Sequence, residues 1–154
     1  MPNIANPHKQ FQWSIQLSVL DPFLAQKCDL PSPEIDVAEH GDRNFIVKTG
    51  GIIKYDMLTI EKISRASIDS SNNWIWDWVQ RIQDPFAFGG DIPEDYKVNA
   101  EVIKFATDGF TIIGRWEMEG LWPSKINNVE LNRVESNNTI ESIEFQLDKM
   151  RKTM

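Results

Sequence analysis

Few side chains in this sequence have the types and spacing that catalysis requires. The two histidines, His8 and His40, are far apart, and neither has a Cys, His or carboxylate at the spacing typical of a zinc site. The single cysteine, Cys28, lacks a neighbouring motif that would mark a nucleophile. Glu117 and Glu144 could act as a glycosidase-like pair if folding brought them together, although acidic side chains on strand surfaces are commoner. We therefore expect no enzyme, no cofactor and no metal site.

Charge and glycine spacing exclude further classes of function. There is no phosphate-binding loop, and the pairs Gly50-Gly51 and Gly89-Gly90 are typical of flexible turns. The net charge of -7 disfavours tight nucleic-acid binding, yet it suits a surface along which DNA passes without sticking. The N-terminus has no signal-peptide pattern, and no apolar run approaches the roughly 20 residues of a membrane span. The sequence thus predicts assembly in a cytoplasm, without membrane insertion of the monomer.

Most of the chain has the period-two pattern of β-strands. The first such run alternates apolar Phe11, Trp13, Ile15, Leu17 and Val19 with polar residues. Asp108-Gly109 predicts a tight two-residue hairpin between two β-rich runs. Other predicted strands cover Ala25–Leu30, Ile35–Glu39, Ile52–Ile63, Tyr96–Thr107, Phe110–Glu119, Val129–Asn132 and a last run from Ile140 with Ile143, Phe145 and Leu147 inward.

One segment predicts a helix of about three turns. Cap-forming residues at positions 70 to 73 precede it, Asp84-Pro85 ends it, and its apolar stripe contains Ile75, Trp78, Val79 and Ile82. Trp76 lies off this stripe, so we expect it to be exposed in an isolated monomer.

The segment from His40 to Gly51 is rich in turn formers at both ends and apolar at its centre, which indicates a long loop. No linker or repeat divides the 154 residues. We predict a single domain, residues 1–154, with a core at about 11–147, a short N-terminal arm and a basic C-terminal tail. The predicted fold class is mainly β, an antiparallel β-sandwich or barrel with one short α-helix and a long extended loop.

The six tryptophans need a separate account. Trp13, Trp78 and Trp116 fall on apolar faces and are predicted to be core residues. For Trp76 and Trp122, a role as protein–protein anchors competes evenly with burial. A β-sandwich rich in tryptophan could also be a carbohydrate-binding module that stacks sugars on exposed rings, and this remains the alternative from a different class.

Three stretches together resemble the tail tube proteins of contractile-tailed phages, a family related in fold to the Hcp tube protein of type VI secretion. "GLWPSKINNVELN" (120–132) is similar to the family's hydrophobic-Trp-Pro turn followed by a basic residue. "NNTIESIEFQL" (137–147) resembles its closing strand, and "EHGDRNFIVKTGGIIKYDMLTIEKI" (39–63) resembles its Gly-Asx-Asn loop and following strand. The order of these motifs spans nearly the whole chain.

The resemblance implies a structural subunit that closes into a hexameric ring, with rings stacked into a hollow tube that conducts DNA when a sheath contracts. The tube of another contractile injection system, such as type VI secretion or a tailocin, and a tube-initiating baseplate protein are alternatives. Implied partners are further copies of the chain, the tail sheath protein, the baseplate or tube initiator, the tail terminator, the tape measure protein and, transiently, DNA. The implied location is the virion, after assembly in the host cytoplasm.

Residues with expected roles form two sets. Ring and subunit contacts are expected from His40, Gly41, Asp42, Arg43, Asn44, Phe45, Ile46, Val47, Lys48, Thr49, Gly50, Gly51, Trp76 and Trp122. Candidates for the channel lining are the polar residues Thr59, Glu61, Glu117, Glu144 and Gln146. The sequence alone leaves open which strand face looks into the channel.

Overall fold

The computed structural model describes residues 13–17, 25–63, 70–134 and 140–153. The predictions for His8, Phe11, Val19 and the N-terminal arm lie outside these residues. The described elements are β1 (Trp13–Leu17), β2 (Ala25–Asp29), β3 (Pro33–Asp42), β4 (Phe45–Tyr55), β5 (Leu58–Ile63), α1 (Ser70–Ile82), α2 (Pro93–Tyr96), β6 (Val98–Phe105), β7 (Ile112–Ile126), β8 (Ile140–Gln146) and β9 (Lys149–Lys152).

Seven strands form one antiparallel sheet in the order β1-β6-β7-β8-β5-β2, and β9 adds to β7. We call these strands together with α1 and α2 the body. The strands β3 and β4 form a separate two-stranded sheet. The predicted mainly β, antiparallel architecture is confirmed, and the structure adds a second, four-residue helix, α2.

Alternation along β8 and β5 builds the centre of the core. Ile143 and Phe145 have no exposed surface, and they pair in register with Ile60 and Leu58, which are equally buried. Because successive strand residues point to opposite faces, the same spacing turns the intervening polar residues away from the core. The predicted inward set of β8 is therefore confirmed for Ile143 and Phe145.

Helix α1 covers the core as its stripe predicted. Ile75 is fully buried, and the ring of Trp78 lies 5.9 Å from the ring of Phe145. The indole nitrogen of Trp78 donates a hydrogen bond of 2.8 Å to the carbonyl of Tyr96, so the buried polar atom is satisfied. Trp78 is buried, whereas Trp13 and Trp116 are partly buried against the same core.

The predicted break at Trp122-Pro123 is wrong, because β7 continues through it to Ile126. A bulge between Pro123 and Lys125 accommodates the proline, which cannot donate a ladder hydrogen bond. Gly120, at φ 72°, marks the point where the pairing partner of β7 changes from β9 to β8. The strand predicted at Val129–Asn132 is also wrong, since residues 127–134 have no regular structure.

Other boundaries differ for local reasons. The tight turn predicted at Asp108-Gly109 is wrong, because β6 and β7 are joined by residues 106–111. The Asp108 carboxylate accepts hydrogen bonds from the backbone N–H groups of Phe110 and Thr111, which stabilises this wider turn. The single strand predicted over Ile52–Ile63 divides at residues 56 and 57, and its first part belongs to β4.

The segment predicted as a long loop is instead part of a β-hairpin. We call residues 33–55 the hairpin arm. Its two strands pair from Pro33 with Tyr55 to Asp42 with Phe45, and Arg43 at φ 52° makes the two-residue turn with Asn44. The glycines and polar residues that indicated a loop occupy an exposed ladder, where nothing buries them and β-propensity is a weak guide.

Candidate assembly surfaces

The hairpin arm contains all twelve residues of the predicted contact segment, His40 to Gly51. Val47 is half-buried and the other eleven are exposed. The strands of the arm pack chiefly against each other and hardly against the other described elements. A hydrogen bond of 3.0 Å from the Tyr55 hydroxyl to the carbonyl of Met150 connects the base of the arm to β9. The arm therefore projects from the body with both faces accessible.

One face of the hairpin arm is apolar apart from the Glu39–Lys48 ion pair near its middle. Register places Ile35 opposite Ile53 and Val37 opposite Gly50 on this face. Ile35 and Val37 are 57% and 63% exposed, which is unusual for adjacent aliphatic residues on one strand face. The side chain of Ile35 extends towards Gly50, which has no side chain of its own. We call Ile35, Val37, Ile46 and Ile53 the apolar face.

The sequence-based contact set included Ile46 but missed Ile35, Val37 and Ile53. Ile35 and Val37 had been assigned to a short strand and Ile53 to a longer one, each expected to bury one face. The hairpin register that brings them together comes from a bulge between Ile35 and Val37, opposite the Gly50-Gly51 region. A Cβ on Gly51 would lie 3.0 Å from the backbone oxygen of Asp36, so the bulge requires a small residue there.

The two tryptophans predicted as anchors have different environments. Trp76 is 50% exposed on α1 while its neighbour Ile75 is buried, which matches the helix periodicity. Trp122 is half-buried and packs against the core, with its ring 6.1 Å from Tyr96 in an edge-to-face arrangement. The exposed Trp76 side chain could therefore contact another subunit without rearrangement, whereas Trp122 already packs against residues of its own chain.

A turn after α1 exposes two aromatic rings that the sequence-based sets did not include. Phe86 and Phe88 are 89% and 95% exposed, and Phe88 adopts φ 52°. The Asp84 carboxylate accepts the N–H of Phe86 at 2.9 Å, which holds the pKa of this exposed carboxyl below its usual range. The Asp84 N–H donates to the Gly89 carbonyl at 2.8 Å. The turn is therefore a preformed aromatic surface.

The candidate channel residues divide into two groups. Thr59 lies opposite Glu144 in the β5–β8 ladder, Glu61 lies opposite Ser142, and Gln146 lies opposite Trp122. Thr59, Glu61, Glu144 and Gln146 follow the same face of β5 and β8, opposite the buried residues, and we call them the polar row. Glu117 is separate, because it lies on β7 and its carboxylate is 2.7 Å from the guanidinium of Arg151 on β9.

Two strands at the ends of the large sheet have one free edge each within the described residues. β1 pairs only with β6, and β2 pairs only with β5. Such edges present unpaired backbone donors and acceptors that another strand can satisfy. The bulge between Ala25 and Lys27 and the shortness of both strands limit uncontrolled pairing.

Side chains that could react or bind a metal do not form a reactive site in the described part of the chain. Burial raises the pKa of the Cys28 thiol to about 12, so this sulfur is protonated and unreactive at neutral pH. Residues 13–17, 25–63, 70–134 and 140–153 contain no group of three or more potential metal ligands. Among them, no helix has the length and apolar content to cross a membrane.

The overall fold is shared with solved structures from contractile systems. It superposes on the tube-terminating cap of the anti-feeding prophage with a TM-score of 0.81 over 99% of this chain and 94% of the other, at 12% identity. The tube–sheath complex of an extracellular contractile injection system, PVC, gives 0.76 over 96% and 91%, also at 12% identity. Hcp1 of Flavobacterium johnsoniae gives 0.55 over 93% and 95%, at 11% identity.

Sequence comparison gives the family. Residues 9–151 match the family described as T4-like virus tail tube protein gp19, so the chain belongs to this family. The tail tube protein gp19 of Enterobacteria phage T4 is 25% identical over 139 residues, which cover 88% of this chain and 84% of the relative; the phage T6 protein gives the same values. The predicted membership in the contractile-phage tail tube family and the relation to the Hcp fold are confirmed. The protein is a structural tail tube protein.

Proposed function

We propose that this chain closes into hexameric rings that stack into the hollow inner tube of a contractile phage tail and conduct DNA. The observation that carries the proposal is the hairpin arm, which projects from the body with Ile35 and Val37 more than half exposed. The apolar face is exposed to water in the monomer, which is unfavourable. A second copy packed against the arm would remove that surface from water. The arm is proposed to contact an adjacent subunit or ring.

Free sheet edges support ring closure. If β1 of one subunit approaches β2 of the next, the unpaired backbone groups at both edges can form a ladder between subunits. The contact uses two different surfaces of the same molecule, so it is head-to-tail and closes when its rotation fits a whole number of subunits. Trp76 and the turn at Phe86 and Phe88 offer aromatic anchors for contacts outside the ring.

The polar row is proposed to line the channel. It has two carboxylates, Glu61 and Glu144, which lie opposite Lys27 and Lys125 in the neighbouring ladders, so they offset basic charges that would otherwise attract the phosphates of passing DNA. Glu117 stays a weaker candidate for the lining, because its carboxylate already pairs with Arg151.

The proposed partners follow from tube assembly. They are the sheath around the tube, the baseplate or tube initiator and the terminator at its ends, the tape measure protein inside it, and DNA in transit. The role is structural and involves no catalysis or cofactor, and assembly takes place in the host cytoplasm before the tube becomes part of the virion.

Electron microscopy of the purified chain at high concentration tests the proposal. Hollow rods of uniform diameter with sixfold end views are expected from the wild type. Replacing Phe45 and Trp76 with serine should leave a folded monomer and reduce the polymerised fraction at least about tenfold, because both rings are exposed in the monomer. The control is Leu131→Ser, which removes an even more exposed apolar residue outside these surfaces.

Three results would contradict the proposal. The first is a wild-type protein that stays a single particle at every concentration, and the second is rods with another ring symmetry. The third is normal rods from the Phe45 and Trp76 double variant, which would remove these two residues from the contacts.

A further inference from the structure

Two lysines share one tryptophan ring at one end of the sheet. The ammonium nitrogens of Lys104 and Lys152 lie 5.6 Å and 5.4 Å from the centre of the Trp116 ring. Register explains the arrangement, because Lys152 pairs with Trp116 across β9 and β7, while Lys104 pairs with Gly114 across β6 and β7. We call Lys104, Trp116 and Lys152 the lysine clamp.

Gly114 makes room for the clamp. A Cβ at this position would lie 3.3 Å from two atoms of the Trp116 ring, so the indole lies across the glycine backbone. Each lysine gains a cation–π interaction, since the ring face is electron-rich. The Trp116 ring is therefore flanked by two positive charges, on strands at opposite edges of β7, in a protein whose net charge is -7.

Within the described residues, Lys104 and Lys152 lack the carboxylate partners that Lys97 and Arg151 have, as do Lys125 and Lys149. Lys97 lies 2.9 Å from Asp148, and Arg151 lies 2.7 Å from Glu117. Within residues 13–17, 25–63, 70–134 and 140–153, by contrast, no carboxylate lies within 4.0 Å of Lys104 or Lys152. Two like charges on one ring repel each other, so an anionic group within reach of both ammonium groups would be stabilised by both.

A surface of opposite charge lies at the other end of β6. Helix α2 directly precedes this strand, and its first turn contains Glu94 and Asp95, both exposed, with no basic residue in its last turn. Val98 and Lys104 are six residues apart in one strand, which separates the two ends by about 20 Å. The acidic segment of one molecule therefore cannot reach its own lysine clamp.

We infer that the lysine clamp binds the carboxylates of Glu94 and Asp95 of a second copy of this chain, as a contact between successive rings. This inference rests on the proposed function, because stacked rings in the same orientation bring opposite ends of identical subunits together. Complementary charges at the two ends allow acidic subunits to stack in one direction only, since a reversed subunit would place like charges together. The contact sets polarity as well as affinity.

Charge reversal with rescue tests the inference. K104E/K152E and E94K/D95K should each lower the polymerised fraction at least about tenfold in sedimentation, because like charges then meet across the contact. The chain with all four substitutions restores complementarity with the charges exchanged, so it should polymerise to within about threefold of wild type. The control K125E/R133E has the same net charge as K104E/K152E and alters exposed residues away from both surfaces, so it should polymerise nearly normally.

Thermal melting of each monomer separates misfolding from lost contacts, and the milder K104Q/K152Q variant provides the test if a charge-reversed chain does not fold. This variant should polymerise less than wild type, and raising the salt concentration should weaken the wild type more than the variant. If the fourfold variant polymerises no better than either double variant while wild type and control form rods, the inference is wrong and the proposed function stands. Wild-type chains that never form rods would instead contradict the proposed function.

Discussion

The strand pair β5–β8 and the hairpin arm are both antiparallel, yet apolar residues are buried in the first and exposed in the second. In β5–β8 the register partners Leu58 and Phe145 have no exposed surface. In the arm the partners Ile35 and Ile53 remain about half exposed. The strand pair β5–β8 therefore buries its hydrophobic residues within one chain, while the arm has hydrophobic residues that one copy of the chain leaves exposed.

This division predicts that stability and assembly can be changed separately. Substitutions at buried positions of the body should act on the free energy of unfolding of the monomer, because their partners lie within the chain. Substitutions in the arm should act on polymerisation, because their partners lie in other copies.

The largest effect is expected from Phe145→Ala in the body. Phe145 is fully buried and contacts the Trp78 ring, so its removal should lower the free energy of unfolding by about 3–5 kcal/mol through lost burial and a residual cavity. The matched change Phe45→Ala in the arm should alter it by less than about 0.5 kcal/mol. Urea unfolding of both monomers measures the two values, and equal losses would contradict the division.

The next effect is expected at the bend of β7. Gly120→Ala should cost roughly 2–4 kcal/mol, because Gly120 has φ 72° and the new Cβ would collide with the Asp148 carboxylate that pairs with Lys97. Gly109→Ala is the control, since φ is 83° but no atom lies near the new Cβ, and its cost should be about 1 kcal/mol. Similar thermal shifts for both variants would show that the Asp148 contact is unimportant.

A smaller, pH-dependent effect is expected at Cys28. Burial raises the pKa of this thiol to about 12, above the ordinary value of 9.0, so the unfolded state loses its proton first as pH rises. Wild type should therefore lose up to about 1.4 kcal/mol of stability per pH unit between these values relative to Cys28→Ala. A cysteine at Val37 in the arm, made in the Cys28→Ala background, should show no such loss. Parallel unfolding curves of wild type and Cys28→Ala from pH 8 to 11 would contradict the burial of the thiol.

The smallest effect on the monomer is expected from Ile53→Ser on the apolar face. Its side chain is about half exposed, and β4 packs chiefly against β3, so the free energy of unfolding should change by no more than about 0.5 kcal/mol. The polymerised fraction should nevertheless fall severalfold or more, because the serine cannot replace the lost apolar contact. A clear loss of monomer stability would show that the arm folds back onto the body.

Periodic burial explains what could be predicted from the sequence. The alternation around Ile143 and Phe145 and the stripe around Ile75 and Trp78 lie where one face meets the core, and there local pattern and tertiary structure agree. The predicted site residues agree with the structure less well than the predicted core residues do. Four of five channel candidates fall on one face of the β5–β8 ladder, but Trp122 lies against the core and the apolar face was mostly missed.

The failures share a physical cause. The hairpin arm has no buried face, so its strands lack the pattern that burial imposes, and its turn depends on Arg43 in a conformation that arginine rarely adopts. Strand β9, with the sequence KMRK, forms because β7 presents a free edge to it. Trp122-Pro123 stays within β7 because a bulge absorbs the proline. In each case the secondary structure depends on pairing with a strand elsewhere in the chain. The local sequence pattern contains no signal for that pairing.

Thiol accessibility at Val37→Cys in a Cys28→Ala background tests whether a second copy of the chain covers the apolar face after assembly. The introduced thiol lies on the apolar face, so in the monomer it should react with a soluble maleimide as fast as a free cysteine. In assembled rods, separated from monomer by sedimentation, labelling should be slowed at least about tenfold, because a neighbouring copy covers the face. Equal labelling rates in monomer and rods would show that the apolar face remains exposed in the tube. This result would contradict the proposal that a neighbouring copy covers it.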